Sequence, residues 1–354
     1  MNWRLIKESE SARYDSFLAG LDSGDIMQSW SWGEVKNDWR AHRGVVEDKD
    51  GQILAAASLL VRNLPLPGRT VAYVPRGPAL VDYSDSNLLA FTLNSLAGLA
   101  RKEKAILLKI DPAVPEHSPA VLETLSNMGF TRTRQTGEFG GLQPRHTFRL
   151  SLDNSIEDIF SRFAKKVRYK IKYAPQRGLV FKSNDETSIE DFFRVLAKTG
   201  NRSDFIVRSP QYFRRLYPIL KKEGRILLLT GYIAEEPVVS SLTLIFAKTA
   251  WAAYGGQDDT HRNLYTYHAM NWERIAWAKS RGAKWFDFYG VPGIVGESHP
   301  LHGLYHFKQS FGGDYVSYIG EWDLPLSKPL YLLWELGVPA YRSTVSRALK
   351  LFRR

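Results

Sequence analysis

The chain has 354 residues, a length that suits two domains better than one. Its hydrophobic content of 44% and aromatic content of 13% indicate a folded globular protein rather than a disordered one. It has no cysteine, which excludes disulfides, thiolate metal sites and a cysteine nucleophile, and which fits a reducing compartment. The first residues do not resemble a signal peptide, and polar residues interrupt the longest apolar run, so we expect a cytoplasmic protein without a membrane span.

The positive charge of the chain is concentrated in one region. The net charge is +11, and residues 161–225 hold 17 Lys or Arg against 6 Asp or Glu. The run from Arg162 to Lys182 has eight basic residues and no acidic one, so it lacks the Glu–Lys pairs of an ordinary solvated helix. We therefore expect this region to face a polyanion, with Lys165, Lys166 and Lys170 contacting phosphate groups.

Apolar periodicity and turn residues predict a first α/β unit over about the first 150 residues. Asp50 and Gly51 form a hairpin signal between two strand-like runs. Gly129 is a typical residue to end a helix. The predicted elements are helices at Ser9–Leu21, Met27–Trp39, Asn87–Glu103 and Ala120–Met128, and strands at Ala41–Glu47, Ile53–Arg62, Thr70–Val74, Ala105–Ile110 and His146–Leu152.

A second unit is predicted from about Asp153 onward. Ser155 and Asp158 resemble a capping box, and the helix that they start is expected to continue to Pro175 with one apolar stripe. The order of elements repeats that of the first unit, which suggests a structural duplication. The further predicted elements are a strand at Leu179–Lys182, helices at Ser188–Thr199, Pro210–Lys222 and Tyr265–Arg281, a meander of Ile226–Ala234, Val238–Phe246 and Ala250–Gly255, and strands at Trp285–Tyr289 and Tyr315–Trp322.

One lysine stands out between the last two predicted strands. Lys308 lies between Phe307 and a Gly312-Gly313 turn, in a stretch rich in aromatic residues and glycine. A lysine in such surroundings is more typical of a positioned cation than of a solvated one. The sequence therefore predicts that Lys308 belongs to a functional site.

Other catalytic patterns are missing from the sequence. It contains no P-loop, no GxSxG elbow and no HExxH motif. His299, His302 and His306 would share one face of a helix, but Pro300 and Gly303 interrupt it and no supporting carboxylate is obvious, so we expect no metal. The glycine-rich loop that binds the pyrophosphate of CoA in acetyltransferases is also missing, and we expect no cofactor.

Six short motifs stand in a specific order between about residues 25 and 325. They are MQSWSWGEVK (Met27–Lys36), YVPRGP (Tyr73–Pro78), LLKIDP (Leu107–Pro112), KVRYKIKYAPQRGLVF (Lys166–Phe181), WFDFYG (Trp285–Gly290) and GLYHFKQSFGG (Gly303–Gly313). In this order they resemble the Fem family of peptidoglycan-bridge aminoacyltransferases. No heptad insertion is visible, so the chain is similar to the compact, FemX-like members that lack a coiled-coil arm.

The resemblance implies a fold and an activity. The expected fold is α/β, with mixed sheets in two GNAT-like domains and a cleft between them. Residues 1–152 and 317–354 would form the first domain, and residues 153–316 the second. The expected reaction moves alanine, serine or glycine from aminoacyl-tRNA to the stem-peptide amino group of a peptidoglycan precursor. The acceptor would be UDP-MurNAc-pentapeptide, as for compact members, or lipid II.

The resemblance also assigns roles to residues at matching motif positions. Four side chains would hold the nucleotide diphosphate and its surroundings, and two would meet the reacting ester and the 3′ end of the tRNA. The former are Lys36, Arg208, Tyr212 and Tyr254, and the latter are Lys308, at the ester, and Phe307, stacked on terminal bases.

The chemistry of an aminoacyl ester fits these roles without a covalent intermediate. Attack by an amine builds an oxyanion, which the Lys308 ammonium is suited to stabilise. A lysine amine has a reference pKa near 10.4, so only about 0.1% is neutral near pH 7.5 and a proton must be removed. Asp111, at a strand end, and Glu321, on the last predicted strand, are the candidate acceptors. Structural roles for both carboxylates, or a base supplied by the substrate, remain open alternatives.

Two further functions remain open from the sequence. One is a GNAT-type acyl-CoA N-acyltransferase, and the other is a non-catalytic RNA-binding protein. We expect a monomer. The carboxy-terminal RALKLFRR, which ends at Arg354, would contact an anionic membrane or remain a solvated end.

Overall fold

A computed structural model describes residues 1–133, 139, 141–202 and 208–337. These residues form two compact units. The first comprises the described residues within 1–23, 27–143 and 318–354, and the second comprises those within 24–26 and 144–317. Each unit has its own sheet and its own hydrophobic core. Among the described residues, no helix is both long and apolar enough to span a bilayer.

The first unit is built on a mixed sheet whose strand order is β1-β2-β3-β4-β6-β15-β7, with β5 paired to β3. β4 and β6 run parallel, as expected when a helix crosses between them, and their neighbours run antiparallel. The strands are β1 (Asn2–Leu5), β2 (Arg40–Glu47), β3 (Ile53–Asn63), β4 (Thr70–Val74), β5 (Ala79–Leu80), β6 (Ala105–Ile110), β7 (Thr131–Arg132) and β15 (Trp322–Pro325). The helices are α1 (Ser11–Gly20), α2 (Trp30–Val35), α3 (Ser86–Lys102) and α4 (Pro119–Asn127), followed by a helix over residues 328–337.

The crossover helix α3 fills one face of this sheet. Asp85 caps it by accepting a hydrogen bond from the Leu88 backbone N–H at 2.9 Å. Its buried positions, among them Leu89, Leu93 and Leu96, recur at helical spacing and pack on the strands. This packing fixes the parallel pair β4–β6, and so the place where the two strands end.

The second unit has a sheet in the order β14-β8-β13-β12-β11-β10-β9. β12 and β13 run parallel, with a helix between them in the chain. The strands are β8 (His146–Ser151), β9 (Val180–Ser183), β10 (Ile226–Ile233), β11 (Glu236–Phe246), β12 (Thr249–Gln257), β13 (Trp285–Asp287) and β14 (Asp314–Ser317). The helices are α5 (Ile156–Arg162), α6 (Lys165–Tyr173), α7 (Ile189–Arg202), α8 (Pro210–Lys222), α9 (Thr266–Ser280) and α10 (His302–Gln309).

The same topology recurs in both units, as the duplication hypothesis predicts. In each, an antiparallel meander (β2-β3-β4 or β10-β11-β12) is followed by a helix and a strand parallel to the last meander strand. That strand also has an antiparallel neighbour, β15 on β6 and β8 on β13. The mixed α/β character of both sheets confirms the predicted fold class.

Several predicted boundaries differ from the structure. β8 pairs with β13 and β14 and so belongs to the second unit, which begins at Pro144 rather than Asp153. The single strand expected over Tyr315–Trp322 is divided into β14 and β15, which belong to different sheets. The helix expected over Met27–Trp39 is reduced to the short α2.

The long helix expected from Ser155 to Pro175 is two helices. Phe163 and Ala164, between α5 and α6, have extended backbones with ψ of 141° and 144°. The break turns the Phe163 ring into the core, where it meets Trp272 and Phe311 edge to face at 5.9 and 5.6 Å between ring centroids. No glycine or proline marks this break, and the apolar spacing continues through it.

Candidate functional site: a half-buried lysine on a strained turn

Lys308 lies in the last turn of α10, and its side chain reaches the turn that follows β13. Its Nζ donates hydrogen bonds to the backbone carbonyls of Tyr289, at 3.1 Å, and Gly290, at 2.7 Å. A lysine ammonium carries three N–H donors, so this arrangement leaves one for another acceptor. The Lys308 side chain is therefore held in place by two backbone carbonyls.

The electrostatic surroundings of Lys308 oppose its charge. Burial lowers the pKa of its ammonium to about 7, an effect that the Asp287 carboxylate opposes and the Arg274 guanidinium strengthens. Arg274 is itself 1% exposed, and it donates to Thr243 Oγ1 at 2.8 Å and Asn271 Oδ1 at 3.1 Å, both uncharged acceptors. The result is a lysine that changes its protonation state near neutral pH, inside the second unit.

The turn that receives Lys308 has a constrained backbone. Tyr289 has a φ of 61°, in the left-handed region that residues other than glycine seldom adopt. The buried Asp287 carboxylate holds it there by accepting hydrogen bonds from the Tyr289 N–H at 2.7 Å and Thr147 Oγ1 at 2.5 Å. This support aims two successive carbonyls at one point, where the lysine binds. Strained backbone of this kind is concentrated at functional sites.

Three of the residues assigned to substrate binding form one cluster in the second unit. The hydroxyls of Tyr212, on α8, and Tyr254, on β12, lie 3.3 Å apart, and the Arg208 guanidinium carbon lies 5.5 Å from the Tyr212 ring centre. Burial raises the pKa of both phenols, and nearby Tyr289 contributes to the rise at Tyr212. Because Tyr289 also binds Lys308 through its carbonyl, this cluster and the lysine belong to one neighbourhood.

A second neighbourhood links Phe307 to the basic helix α6. The Phe307 ring meets the His268 ring edge to face at 4.9 Å between centroids, and it is half-buried. Burial lowers the pKa of His268 to about 3, and the Lys170 ammonium adds to this effect. Lys170, Phe307 and Lys308 are thereby connected through the packing of α6, α9 and α10.

The basic face of α6 is open to solvent. Lys165 and Lys166 are exposed, Lys170 is half-buried with its Nζ 5.0 Å from the Tyr265 ring centre, and no ion pair within the described part of the chain involves them. A groove of about 380 Å³ runs beside this helix, between α6 and α9. Its walls are mainly apolar and aromatic, with two charged residues, and comprise Phe160, Ile171, Lys172, Pro175, Gln176, Ala269, Trp272 and Glu273.

Of the two candidate proton acceptors, Asp111 has the surroundings of a base. It follows β6, is 1% exposed, and accepts hydrogen bonds from the Tyr73 hydroxyl at 2.9 Å and the Arg76 N–H at 2.5 Å. Burial raises its pKa to about 7, against the opposing Arg76 guanidinium, and the Glu321 carboxylate adds to the rise. A carboxylate with this pKa can both accept and release a proton at neutral pH.

Glu321 is instead part of a buried ion-paired group. Its carboxylate lies 3.0 Å from the Lys109 ammonium, which also lies 2.8 Å from Asp323, and it accepts a hydrogen bond from the Leu142 N–H. Although burial lowers the pKa of Lys109, the two carboxylates raise it overall. These partners tie Glu321, which precedes β15, to Lys109 on β6.

Lys36, the remaining substrate-binding candidate, belongs to the first unit. It forms the carboxy-terminal cap of α2, and its Nζ lies 5.2 Å from the centre of the Trp32 ring. Trp32 and Val35 are buried, so the short helix is anchored by its apolar side while Lys36 stays half-buried at its end.

The three histidines near Lys308 lie on α10 and on the segment before it. The rings of His302 and His306 lie in contact, 4.3 Å apart between centroids, on α10, while His299 precedes this helix and its Nδ1 accepts from the Leu301 N–H at 3.1 Å. No group of three or more potential ligands suited to a metal ion occurs among the residues that the structure describes.

Sequence reasoning missed three contributors to the lysine site: Arg274, Asp287 and Tyr289. Arg274 follows Glu273 on α9 and reads as half of a solvated charge pair, whereas it is buried. For Asp287 and Tyr289 the sequence did offer a signal. The Asp-Phe-Tyr-Gly sequence begins at the end of a short strand, and an aspartate there can stabilise a turn by accepting a backbone hydrogen bond.

Comparison with solved structures defines the class of fold as two GNAT-like units in tandem. A crystal structure of FemX matches with a TM-score of 0.85 and 24% identity, over 95% of this chain and 100% of that one. A tandem GNAT protein from the clavulanic acid biosynthesis pathway matches with a TM-score of 0.57 and 12% identity, over 91% and 98% of the two chains.

The sequence comparisons identify the family. The model of the FemAB family matches residues 9–236 and 228–337, so the chain belongs to the FemAB family and the resemblance of its motifs is confirmed. Lipid II:glycine glycyltransferases of Staphylococcus haemolyticus (strain JCSC1435) and Staphylococcus aureus (strain MRSA252) are 27% and 26% identical, each over 95% of this chain and 97% of the relative. The alignment with the former spans 412 positions, more than the 354 residues of this chain, so that relative contains insertions.

Proposed function

We propose that the protein transfers an amino acid from aminoacyl-tRNA to the stem-peptide amino group of a peptidoglycan precursor. Alanine, serine and glycine are the candidate amino acids, and the product is an interpeptide bridge or its first residue. Membership of the FemAB family supports the class of reaction, as do the names of the glycyltransferase relatives. The observation that carries the proposal is the Lys308 ammonium, held on two carbonyls with one N–H left for a substrate oxygen.

The chemistry follows from the ester and the amine. The amine nitrogen bonds to the ester carbonyl carbon, and the carbonyl oxygen becomes an oxyanion that Lys308 stabilises by its third N–H. The intermediate collapses with cleavage of the C–O bond to the ribose, and the ribose oxygen leaves with the proton that the attacking nitrogen loses as it becomes an amide. Asp111, with a pKa of about 7, accepts the proton that the acceptor ammonium must lose.

The tRNA would be held by the basic face of α6 and by Phe307. Lys165, Lys166 and Lys170 face solvent without competing ion pairs in the described chain, which leaves them available for phosphates. The Phe307 ring, which packs edge to face on His268 of α9 beside Lys308, would stack on the terminal bases of the acceptor stem.

The acceptor would be held through its diphosphate. Arg208 is suited to a bidentate contact, Lys36 to a point-charge contact, and the paired hydroxyls of Tyr212 and Tyr254 to hydrogen bonds with phosphate or sugar oxygens. Both UDP-MurNAc-pentapeptide and a lipid-linked precursor carry such a diphosphate, so this cluster suits either.

The direct test is a transfer assay with the purified full chain. Alanyl-, seryl- and glycyl-tRNA are each combined with UDP-MurNAc-pentapeptide or with lipid II, and products are identified by mass. We expect an acceptor heavier by one or more residues, and no product from a Lys308→Met variant that still folds. Acetyl transfer from acetyl-CoA without aminoacyl transfer, or tRNA binding without any product, would contradict the proposal.

The role of α6 is tested by charge reversal. Changing Lys165, Lys166 and Lys170 to Glu should weaken tRNA binding and reduce the slope of log K against log salt by about 2 to 3, because each lost phosphate contact removes about 0.7 to 0.9. The matched control reverses three exposed lysines elsewhere and changes net charge equally: Lys49, Lys102 and Lys284. Equal loss in the control would show a general charge effect and would remove the role given to α6.

A further inference from the structure

The helix over residues 328–337 has two apolar faces, of which the fold covers one. Leu330, Tyr331 and Trp334 pack against the sheet of the first unit, where Val71 and Ile106 form part of the same core cluster. This contact attaches the helix to the first unit. It does not cover the apolar residues on the opposite side of the helix.

Three leucines occupy that opposite side. Leu332, Leu333 and Leu336 are 60%, 66% and 76% exposed, and their spacing of i, i+1 and i+4 places them together on one face. Scattered exposed leucines are ordinary on a protein surface, but three adjacent ones on a short helix form a patch. A helix with two opposite apolar faces is expected to have both of them covered, by protein or by lipid.

The charge of the sequence that follows the helix indicates what kind of partner covers the three leucines. Residues 338–354, which follow the leucine helix in sequence, contain five basic residues and no acidic one. Lys328 adds a further positive charge at the beginning of the helix, and Glu335 is the one acidic residue in 328–337. Exposed leucines joined to excess positive charge match the two components of an anionic bilayer surface, the acyl boundary and the headgroups.

We propose that this leucine face is a docking surface for anionic lipid bilayers. The leucines enter the headgroup boundary from one side of the helix, while Tyr331 and Trp334 hold the other side to the protein. A nucleic acid would account for the basic residues but gives no use for the leucines. In combination with the proposed function, on which this purpose rests, the surface brings the enzyme to an acceptor that is lipid-linked.

The test is vesicle sedimentation of the full chain. Vesicles of phosphatidylcholine alone are compared with vesicles that also contain phosphatidylglycerol. We expect binding to the mixed vesicles that weakens as salt is added, and little binding to phosphatidylcholine alone. The combined variant Leu332→Ser, Leu333→Ser and Leu336→Ser should lower partitioning by about 100-fold or more, since burial of each leucine contributes roughly tenfold.

The control variant replaces exposed aliphatic side chains that lie outside the leucine face. Val81→Ser with Val180→Ser changes residues that are 50% and 58% exposed, and it should bind vesicles as the unaltered chain does. Unchanged thermal unfolding of both variants would show that neither has lost its fold. Absent binding to mixed vesicles, or equal binding by the leucine variant, would overturn the proposal. If the unaltered chain were a dimer and the leucine variant a monomer, the face would bind a second copy of the chain, and the proposal would also be overturned. Loss of tRNA binding in the leucine variant would overturn it as well.

Activity separates this proposal from the proposed function. The leucine variant should transfer to UDP-MurNAc-pentapeptide in solution at the rate of the unaltered chain and be slower with lipid II in mixed vesicles. Transfer that is absent with both acceptors in the unaltered chain refutes the function and leaves the vesicle result standing. Equal rates for the variant and the unaltered chain on lipid II in vesicles refute the purpose given to the surface.

Discussion

The ionisation of Lys308 gives the sharpest prediction, through the substitution Lys308→Arg. With a pKa of about 7, the lysine is about 90% protonated at pH 6 and about 10% protonated at pH 8. An arginine remains charged throughout this range. If Lys308 acts as an ammonium that stabilises the oxyanion, the active fraction of the unaltered enzyme is the fraction in which Lys308 is protonated. That fraction declines about tenfold between pH 6 and pH 8, whereas the variant stays fully charged at this position.

The quantity to measure is the ratio of kcat/KM of the variant to that of the unaltered enzyme. The titration of the acceptor amine, of Asp111 and of the ester affects both enzymes and cancels in this ratio. We expect the variant to be slower at pH 6, because a guanidinium fits the two carbonyls less well, and the ratio to rise about tenfold by pH 8. Lys308→Met should lower kcat/KM by about 10² to 10³ at pH 6, the usual effect of removing an oxyanion donor.

The opposite outcome has a definite meaning. If Lys308 worked as a neutral base, the activity of the unaltered enzyme would rise with pH up to about pH 7. The ratio of kcat/KM of the variant to that of the unaltered enzyme would then fall up to about pH 7 and be constant above it. A ratio independent of pH would show that the charge of Lys308 does not enter the reaction. The assay should use initial rates, with spontaneous ester hydrolysis subtracted at each pH.

Three further substitutions test the remaining groups. Asp111→Asn should lower kcat by about 10² or more and abolish the loss of activity that the unaltered enzyme shows below pH 7, where its raised pKa leaves the carboxylate protonated. Glu321→Gln should lower the free energy of unfolding in urea by about 1–3 kcal/mol and leave kcat nearly unchanged, because it weakens the contact to Lys109. Tyr254→Phe should raise KM for the acceptor up to about tenfold without changing kcat, whereas a lower kcat would place its hydroxyl in the chemistry.

The sequence was informative where local pattern and structure agree. The meander β10-β11-β12, the helix Pro210–Lys222 and the isolation of Lys308 were all visible from composition and spacing. The hydroxyls of Tyr212 and Tyr254, which the motif match assigned to one binding site, lie 3.3 Å apart although 42 residues separate them, and their role in binding stays a prediction.

Other features depend on backbone and packing that leave no residue signature. The partners of Lys308 are backbone carbonyls, which every residue has, and tyrosine is not a residue type that favours the left-handed conformation found at Tyr289. The break at Phe163 serves the core around Trp272, a contact that links residues 109 positions apart. Glu321 could be recognised as structural only when its partner Lys109 was known, since 212 residues separate the two.

The duplicated topology explains where the two chemical groups arise. In the first unit the parallel pair β4–β6 ends at Val74 opposite Ile110, and Asp111 is the next residue. In the second unit the pair β12–β13 ends at Trp251 opposite Asp287, and the carbonyls that hold Lys308 follow two and three residues later. In open α/β sheets, ligands usually bind outside the carboxyl ends of the strands. Each unit has thus placed a group with a pKa of about 7 at the same edge, a carboxyl in the first and an ammonium in the second. On the proposed function, the carboxyl of the first unit accepts a proton and the ammonium of the second unit stabilises an anion.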